Sequence, residues 1–188
     1  MIVNAECAVW QNTQNIMSGM HNTCTIWLHW HYKVAGYIQW MIRKHMGLQV
    51  TEKYYEHTPE KVRNASGTTI MWDVPVVTDW TIVANRPDMA LHNKKDRTCL
   101  LFATVIPDDS NINTKETEKL SKYKDLEIKV SRMWKVRTKI VSVIIWALGT
   151  IKKGLDKKLQ MLPDYLSARE LQKTTLMRTA HIIFKVMG

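Results

Sequence analysis

Asn85-Arg86-Pro87-Asp88-Met89-Ala90-Leu91, then the polar tetrad Asn93-Lys94-Lys95-Asp96, then Thr98-Cys99-Leu100-Leu101-Phe102-Ala103-Thr104-Val105-Ile106-Pro107 decide how this chain folds. The last run is apolar almost throughout and stops at a proline, as a strand buried on both faces does. The first closes a strand-like stretch from Trp80 to Leu91 that Arg86-Pro87-Asp88 interrupts. The tetrad between them is a charged turn, so the two runs are expected to form a hairpin.

Working outward, Thr69 to Val77 is rich in β-branched residues and reads as a third strand, with Pro75 marking an edge or a bulge. Asn64 to Gly67 reads as a turn, and Glu52 to Glu56 as one short helical turn. Residues 33–46 carry Val34, Tyr37, Ile38, Met41 and Ile42 at helical spacing, and Gly47 stops them. Residues 1–30 have poor periodicity and read as irregular.

Downstream, Asn113 with Glu116 resembles a capping box. Leu120, Tyr123, Leu126, Val130 and Met133/Trp134 then recur as one helical stripe, with Lys115, Lys119, Lys122 and Lys129 off it. A strand from Lys139 to Ala147 follows, and a closing helix runs from Ser167-Ala168-Arg169-Glu170 to about Met187. This order predicts a mixed α/β domain with helices packed on a central sheet. Residues 32–188 form the expected domain and residues 1–31 an irregular appendage.

The chain has 188 residues, 45% of them apolar and 23% charged, an ordinary globular composition. Lys and Arg number 27 against 17 Asp and Glu, a formal charge of +10 that favours a polyanionic partner. Residues 115–158 hold thirteen of those cations against five acids. Such a run is either a solvated helix face or a surface that contacts phosphates. Cys7, Cys24 and Cys99 are too few and too scattered for a disulfide framework, which points to a reducing, intracellular setting. The longest apolar run, Ile140 to Ile151, falls short of the roughly 20 residues a membrane span needs. No signal peptide is expected, and Asn64-Ala65-Ser66 reads as a chance sequon.

The chain has no Gly-rich phosphate loop, Gly-x-Ser-x-Gly elbow or His-Glu-x-x-His. The arrangement that could support chemistry is Asp88, the strand that follows it, and a helix bearing Glu118, Lys119, Lys122 and Tyr123. Metal-dependent phosphodiester hydrolysis uses strand carboxylates to hold Mg²⁺ and a nearby Lys to stabilise charge. The strand Thr98–Ile106 has no carboxylate, however, and Asp108 and Asp109 lie past Pro107. The plain alternative for Asp88 is a strand-end carboxylate.

Several long stretches carry a resemblance: Tyr54 to Val62 (Tyr-Tyr-Glu-His-Thr-Pro-Glu-Lys-Val), Ala84 to Asp88, Lys95 to Leu101, Ile106 to Asn111, Lys115 to Glu127, Ala147 to Gly154, Glu170 to Lys173, and Thr179-Ala180-His181. From Gln39 onward the chain resembles the C-terminal region of non-LTR retrotransposon polyproteins, of the site-specific type that carries a restriction-like endonuclease. The resemblance implies a PD-(D/E)XK fold that cuts DNA with Mg²⁺ during target-primed insertion, in the nucleus. It makes Asp88 the first catalytic carboxylate and metal ligand. Lys119, Lys122 and Tyr123 match the family's Lys-x-x-Lys-Tyr. Its second Asp falls at Ala103, which implies impaired cleavage. Asp108 and Asp109 are displaced from that position and match acidic residues the family already carries.

The resemblance also implies DNA, and possibly RNA, as the partner, with no membrane. Arg86, Lys115, Lys124, Lys129, Arg132, Lys135, Arg137, Lys139, Lys152 and Lys153 are the expected phosphate contacts. The family's upstream zinc knuckle is degenerate here. Cys7 matches its first ligand, Trp10 replaces the second, the His region around Met17-Ser18 is deleted and Met20 or a neighbour replaces the last Cys, so no zinc is expected. Trp30, Trp80 and Trp146 depart from the family's usual residues, as a decaying copy would. The alternatives are a non-enzymatic nucleic-acid-binding module and a decayed product with no function.

Overall fold

The protein is described here by a computed structural model covering residues 23–105, 112–145, 151, 154–161 and 167–187. Its centre is a five-stranded mixed sheet in the order β1 (Val62–Ala65), β2 (Thr68–Trp72), β3 (Met89–Asn93), β4 (Thr98–Val105) and β5 (Arg137–Ile144). The first four strands run antiparallel, and β5 lies parallel to β4. A parallel pair needs a long crossover. It is supplied by α2 (Ile112–Lys122) and α3 (Lys124–Trp134). Helices α1 (Thr23–His45), α4 (Leu155–Leu159) and α5 (Ala168–Met187) cover the opposite face.

Strand alternation divides the core in two. Met89, Leu91, Leu100, Phe102, Val141 and Val143 pack toward α1, α4 and α5. Ala90, Cys99, Leu101 and Ala103 pack toward Tyr123, Leu126 and Val130. The mixed α/β architecture, the buried strand and the hairpin through the tetrad are as expected. Asn93 fixes that turn, its Oδ1 accepting from the backbone N–H of Lys95 and Asp96 at 3.0 and 3.1 Å.

Several boundaries differ from the sequence expectation. Helix α1 begins at Thr23, so residues 23–30, expected to be irregular, are helical, and α1 runs unbroken across residues 31 and 32. The Thr and aromatic residues there are weak helix formers, which is why propensity does not foretell this first part of the helix. Gly47 ends α1 as expected: at φ +67 it lets Leu48 N–H reach Arg43 O at 3.0 Å and its own N–H reach Lys44 O at 3.1 Å.

Asn64 and Ala65 belong to β1, and the turn narrows to Ser66-Gly67, both at positive φ, as a two-residue hairpin needs. The run Thr69 to Val77 stops being strand at Trp72, because Asp73 adopts φ +46. The expected strand Trp80 to Leu91 is strand only from Met89. Pro75 and Pro87 each remove a ladder donor, so residues 73–88 form a loop.

The expected long helix breaks at Tyr123 (φ −98, ψ 3) into α2 and α3. Helix α2 starts at Ile112, which puts Asn113 inside the first turn rather than at a cap. Strand β5 begins at Arg137, after Lys135 in a left-handed conformation. Asp108, Asp109, Trp146, Lys152, Lys153 and the knuckle positions Cys7 to Met20 lie outside the described residues.

Candidate functional site

Residues Asp88, Ala103 and Ser142 form one row at the end of the sheet, Asp88 just before β3, Ala103 on β4 and Ser142 on β5. The β3–β4 ladder ends with Met89 opposite Phe102. Asp88, just before β3, also donates its N–H to Phe102 O, at 3.2 Å, as the extra residue of a bulge does, and its Oδ2 accepts from Thr104 N–H at 2.5 Å, which sets the carboxylate at the backbone next to Ala103. The β4–β5 register pairs Ala103 with Ser142. All three meet the layer of α2 and α3: Ala103 in its core, Ser142 through Glu116 and the Asp88 carboxylate through Lys119.

Helix α2 lays Glu116 and Lys119, neighbours on one helical face, over the two ends of this row. Lys119 Nζ donates to Thr104 O at 2.7 Å and sits 3.8 Å from Asp88 Oδ2. Burial pushes the Lys119 ammonium below its usual pKa, Asp88 opposes that shift, and Lys122 adds to it. At the other end, Glu116 Oε1 accepts from Ser142 Oγ at 2.8 Å and from Lys158 Nζ at 2.7 Å. The row is therefore charge-balanced within the protein, Asp88 against Lys119 and Glu116 against Lys158.

Tyr123, at the α2–α3 break, donates its hydroxyl to Arg86 O at 3.0 Å. Burial, with Asp88 and Asp73 nearby, pushes its phenol up to about 12, so it stays a neutral donor. Lys122 lies over the Tyr123 ring and is exposed. Asp88, Lys119 and Tyr123 thus lie near one another at this end of the sheet, and Lys122 stands just outside them.

A hard divalent cation asks for several oxygens. The row does not fit one. Asp88 Oδ2 already accepts Thr104 N–H beside an ammonium, Glu116 is engaged by Lys158, and position 103 contributes no oxygen. Among the described residues no group of three or more His, Cys, Asp or Glu is placed to hold a metal ion.

Among the described residues, the expected phosphate contacts are divided between both sides of the sheet. Lys129 is buried, paired with Asp79 and lying over the Trp80 ring, so it is a structural cation rather than an open phosphate contact. Arg86 is clamped by Asp73 through Nε to Oδ1 and Nη2 to Oδ2, each at 2.7 Å. Lys124 pairs with Glu127. Arg132, Lys135, Arg137 and Lys139 are exposed. The last two lie on the α1 side of β5, in step with Val141 and Val143, whereas Lys122 and Arg132 belong to the α2–α3 layer. The side chain of Lys115, like Lys152 and Lys153, is outside the described residues.

Sequence reasoning missed Asp73, Asp79, Glu116's partners and Lys158. Glu116 and Lys119 at i and i+3 carried a signal, since both lie on the sheet-facing side of α2. Asp73 and Asp79 carried none, because their partners are distant in sequence.

Compared with known proteins, the chain matches no family model and no curated sequence. Among the described residues no helix is long and apolar enough to cross a membrane.

Proposed function

We propose that this chain is the endonuclease-type domain of a retrotransposon polyprotein, of PD-(D/E)XK descent, disabled for cleavage and retaining nucleic acid as its ligand. The observation that carries this reading is the Asp88 carboxylate, beside Lys119 and bonded to the backbone of Thr104, the residue after Ala103. A carboxylate next to a buried strand position under one lysine suits a two-carboxylate phosphodiesterase, and here the second position holds a methyl group. Asp88 would be the remaining first carboxylate. Lys119 would stabilise charge on the phosphate, and Tyr123 would hold the Arg86 backbone in place. With Lys119 standing beside Asp88, the same row offers a cation for a phosphate and no oxygen set for Mg²⁺. Nucleic-acid binding without cleavage is favoured by the exposed Lys122, Arg132, Lys135, Arg137 and Lys139.

The test is nicking of supercoiled plasmid by the natural chain and by Ala103→Asp, each with Mg²⁺, Mn²⁺ or EDTA. Cleavage is expected only from Ala103→Asp with metal, while both chains retard DNA in a salt-dependent way. Metal-dependent cutting by the natural chain would overturn the disabled site. Failure of both chains to bind nucleic acid would overturn the reading altogether.

A further inference from the structure

The β2–β3 loop does more than connect strands. Val76, Ile82 and Ala84 anchor it in the core beneath α3, while Trp80 and Val83 remain outside, 60% and 100% exposed. Between this loop and α3 lies a cleft of about 500 Å³, with Trp80, Val83 and Ile128 as its apolar wall. Two exposed cations, Lys122 and Arg132, border it against one acid, Asp125. Lys122 closes α2 just before α3 begins, and Arg132 lies in the last turn of α3, so the two cations stand at opposite ends of that helix.

Trp80 is held in place. The Lys129 ammonium sits over its ring, 3.3 Å from the centroid, and the same ammonium pairs with Asp79. Lys129 is itself buried in the body of α3, so it fixes the indole from beneath while most of Trp80 stays exposed. An exposed indole held from beneath, beside two exposed cations, matches a ligand with flat π faces and negative charge on either side. Double-stranded DNA hides its base faces, whereas a single strand or an extruded nucleotide presents them.

We propose that this cleft takes an unpaired nucleobase of a nucleic-acid strand, stacked on Trp80, with Lys122 and Arg132 receiving the flanking phosphates. The proposal rests on the nucleic-acid reading above and adds to it: the strand is recognised unpaired, at a place separate from the Asp88 row. Lys122, which closes α2 one turn after Lys119, links the two places on one surface.

The test is fluorescence anisotropy with the full chain. The probes are labelled single-stranded DNA and RNA 12-mers, the matching duplex, and a single strand whose central nucleotides are abasic. Tighter binding of the base-bearing single strands than of either the duplex or the abasic strand is expected. Trp80→Ala should weaken single-strand binding about tenfold, as loss of one stacked base does. Trp80→Phe should keep most of it. Lys122→Gln with Arg132→Gln should lower affinity on all strands and flatten the salt dependence.

Circular dichroism of each variant checks that the exposed substitutions leave the fold intact. The DNA and RNA arms show which sugar the cleft accepts. If the abasic strand binds as well as the base-bearing one, or folded Trp80→Ala and Trp80→Phe both bind like the natural chain, the stacking cleft is wrong while the nucleic-acid reading stands. If no nucleic acid binds and an acidic peptide does, both fall.

Discussion

Lys119 Nζ lies 3.8 Å from Asp88 Oδ2 while donating to Thr104 O at 2.7 Å, so one ammonium pins α2 to the edge of the β3–β4 pair. The ion pair is largely out of water, and removing one charge strands the other. Asp88→Asn keeps an acceptor for Thr104 N–H yet leaves Lys119 without its counter-charge. It is expected to cost about 1–3 kcal/mol at pH 7. Burial has already lowered the Lys119 pKa, and losing Asp88 lowers it further. Between the folded value and the ordinary 10.5 the unfolded chain holds more protons, so stability rises with pH across that window. Urea melts at pH 7 and pH 9.5 should therefore show a smaller deficit for Asp88→Asn at the higher pH. An equal deficit at both would mean that Lys119 does not depend on Asp88.

Ala103 is 1% exposed and precedes Thr104, whose N–H bonds the Asp88 carboxylate, so Ala103→Asp would set two carboxylates close together. Without metal the variant is expected to lose roughly 1–3 kcal/mol through desolvation and like-charge repulsion. A divalent ion that binds only the folded state reverses this, by about 2.7 kcal/mol at 100 times its Kd. The melting temperature of Ala103→Asp should thus rise with MnCl₂ over EDTA, and that of the natural chain should not. A metal-insensitive Ala103→Asp would mean that residues 88 and 103 are not placed to share a cation.

The sheet's centre was legible in the sequence because Thr98 to Val105 is apolar almost throughout and the tetrad Asn93 to Asp96 can only be a turn. Strand limits were less legible. Val76, Val77, Ile82 and Val83 have strand propensity, yet Pro75, Pro87 and the left-handed Asp73 are what hold residues 73–88 off the ladder. Propensity alone does not report that override. The stripe from Leu120 to Trp134 fitted one helix, and the break at Tyr123 is invisible to periodicity because both halves pack on β4 and β5. Asp88, Lys119 and Tyr123 were foreseeable from residue type and spacing. Their grouping with Glu116, Ser142 and Lys158 was not, since it depends on the β4–β5 register.

Asp73 gathers Arg86, Lys61 and the Tyr32 hydroxyl onto one carboxylate, tying the loop to β1 and α1. Burial alone would raise its pKa, but the hydrogen bonds from Arg86 and Lys61 outweigh it and hold the carboxyl below 3.8. That stabilisation is complete above about pH 3.8 and disappears as pH falls through the lower folded value. Asn tolerates the same left-handed backbone, so Asp73→Asn removes the charge without backbone strain. It is expected to cost about 1–2 kcal/mol at pH 7. Denaturation measured from pH 7 to pH 2 should show the two chains converging at the acid end. A constant gap would place the effect elsewhere than in this carboxylate.

Cys99 is fully buried in the β4 row between the hairpin and α3, and burial pushes its thiol up to about 12. At pH 8 a thiol with that pKa is thiolate in roughly one molecule in ten thousand, and only the thiolate attacks an alkylating reagent. Exposure as well as ionisation blocks the reaction, so labelling must wait for the sheet to open. Iodoacetamide at pH 8 followed by peptide mapping should leave Cys99 unmodified in the folded chain and modify it fully in urea. Its labelling rate across a denaturant series should follow global unfolding, since Cys99 pairs with both His92 on β3 and Thr138 on β5. Rapid labelling without denaturant would mean that the central strand opens locally, and the place of the Asp88 carboxylate beside Ala103 would then be only transient.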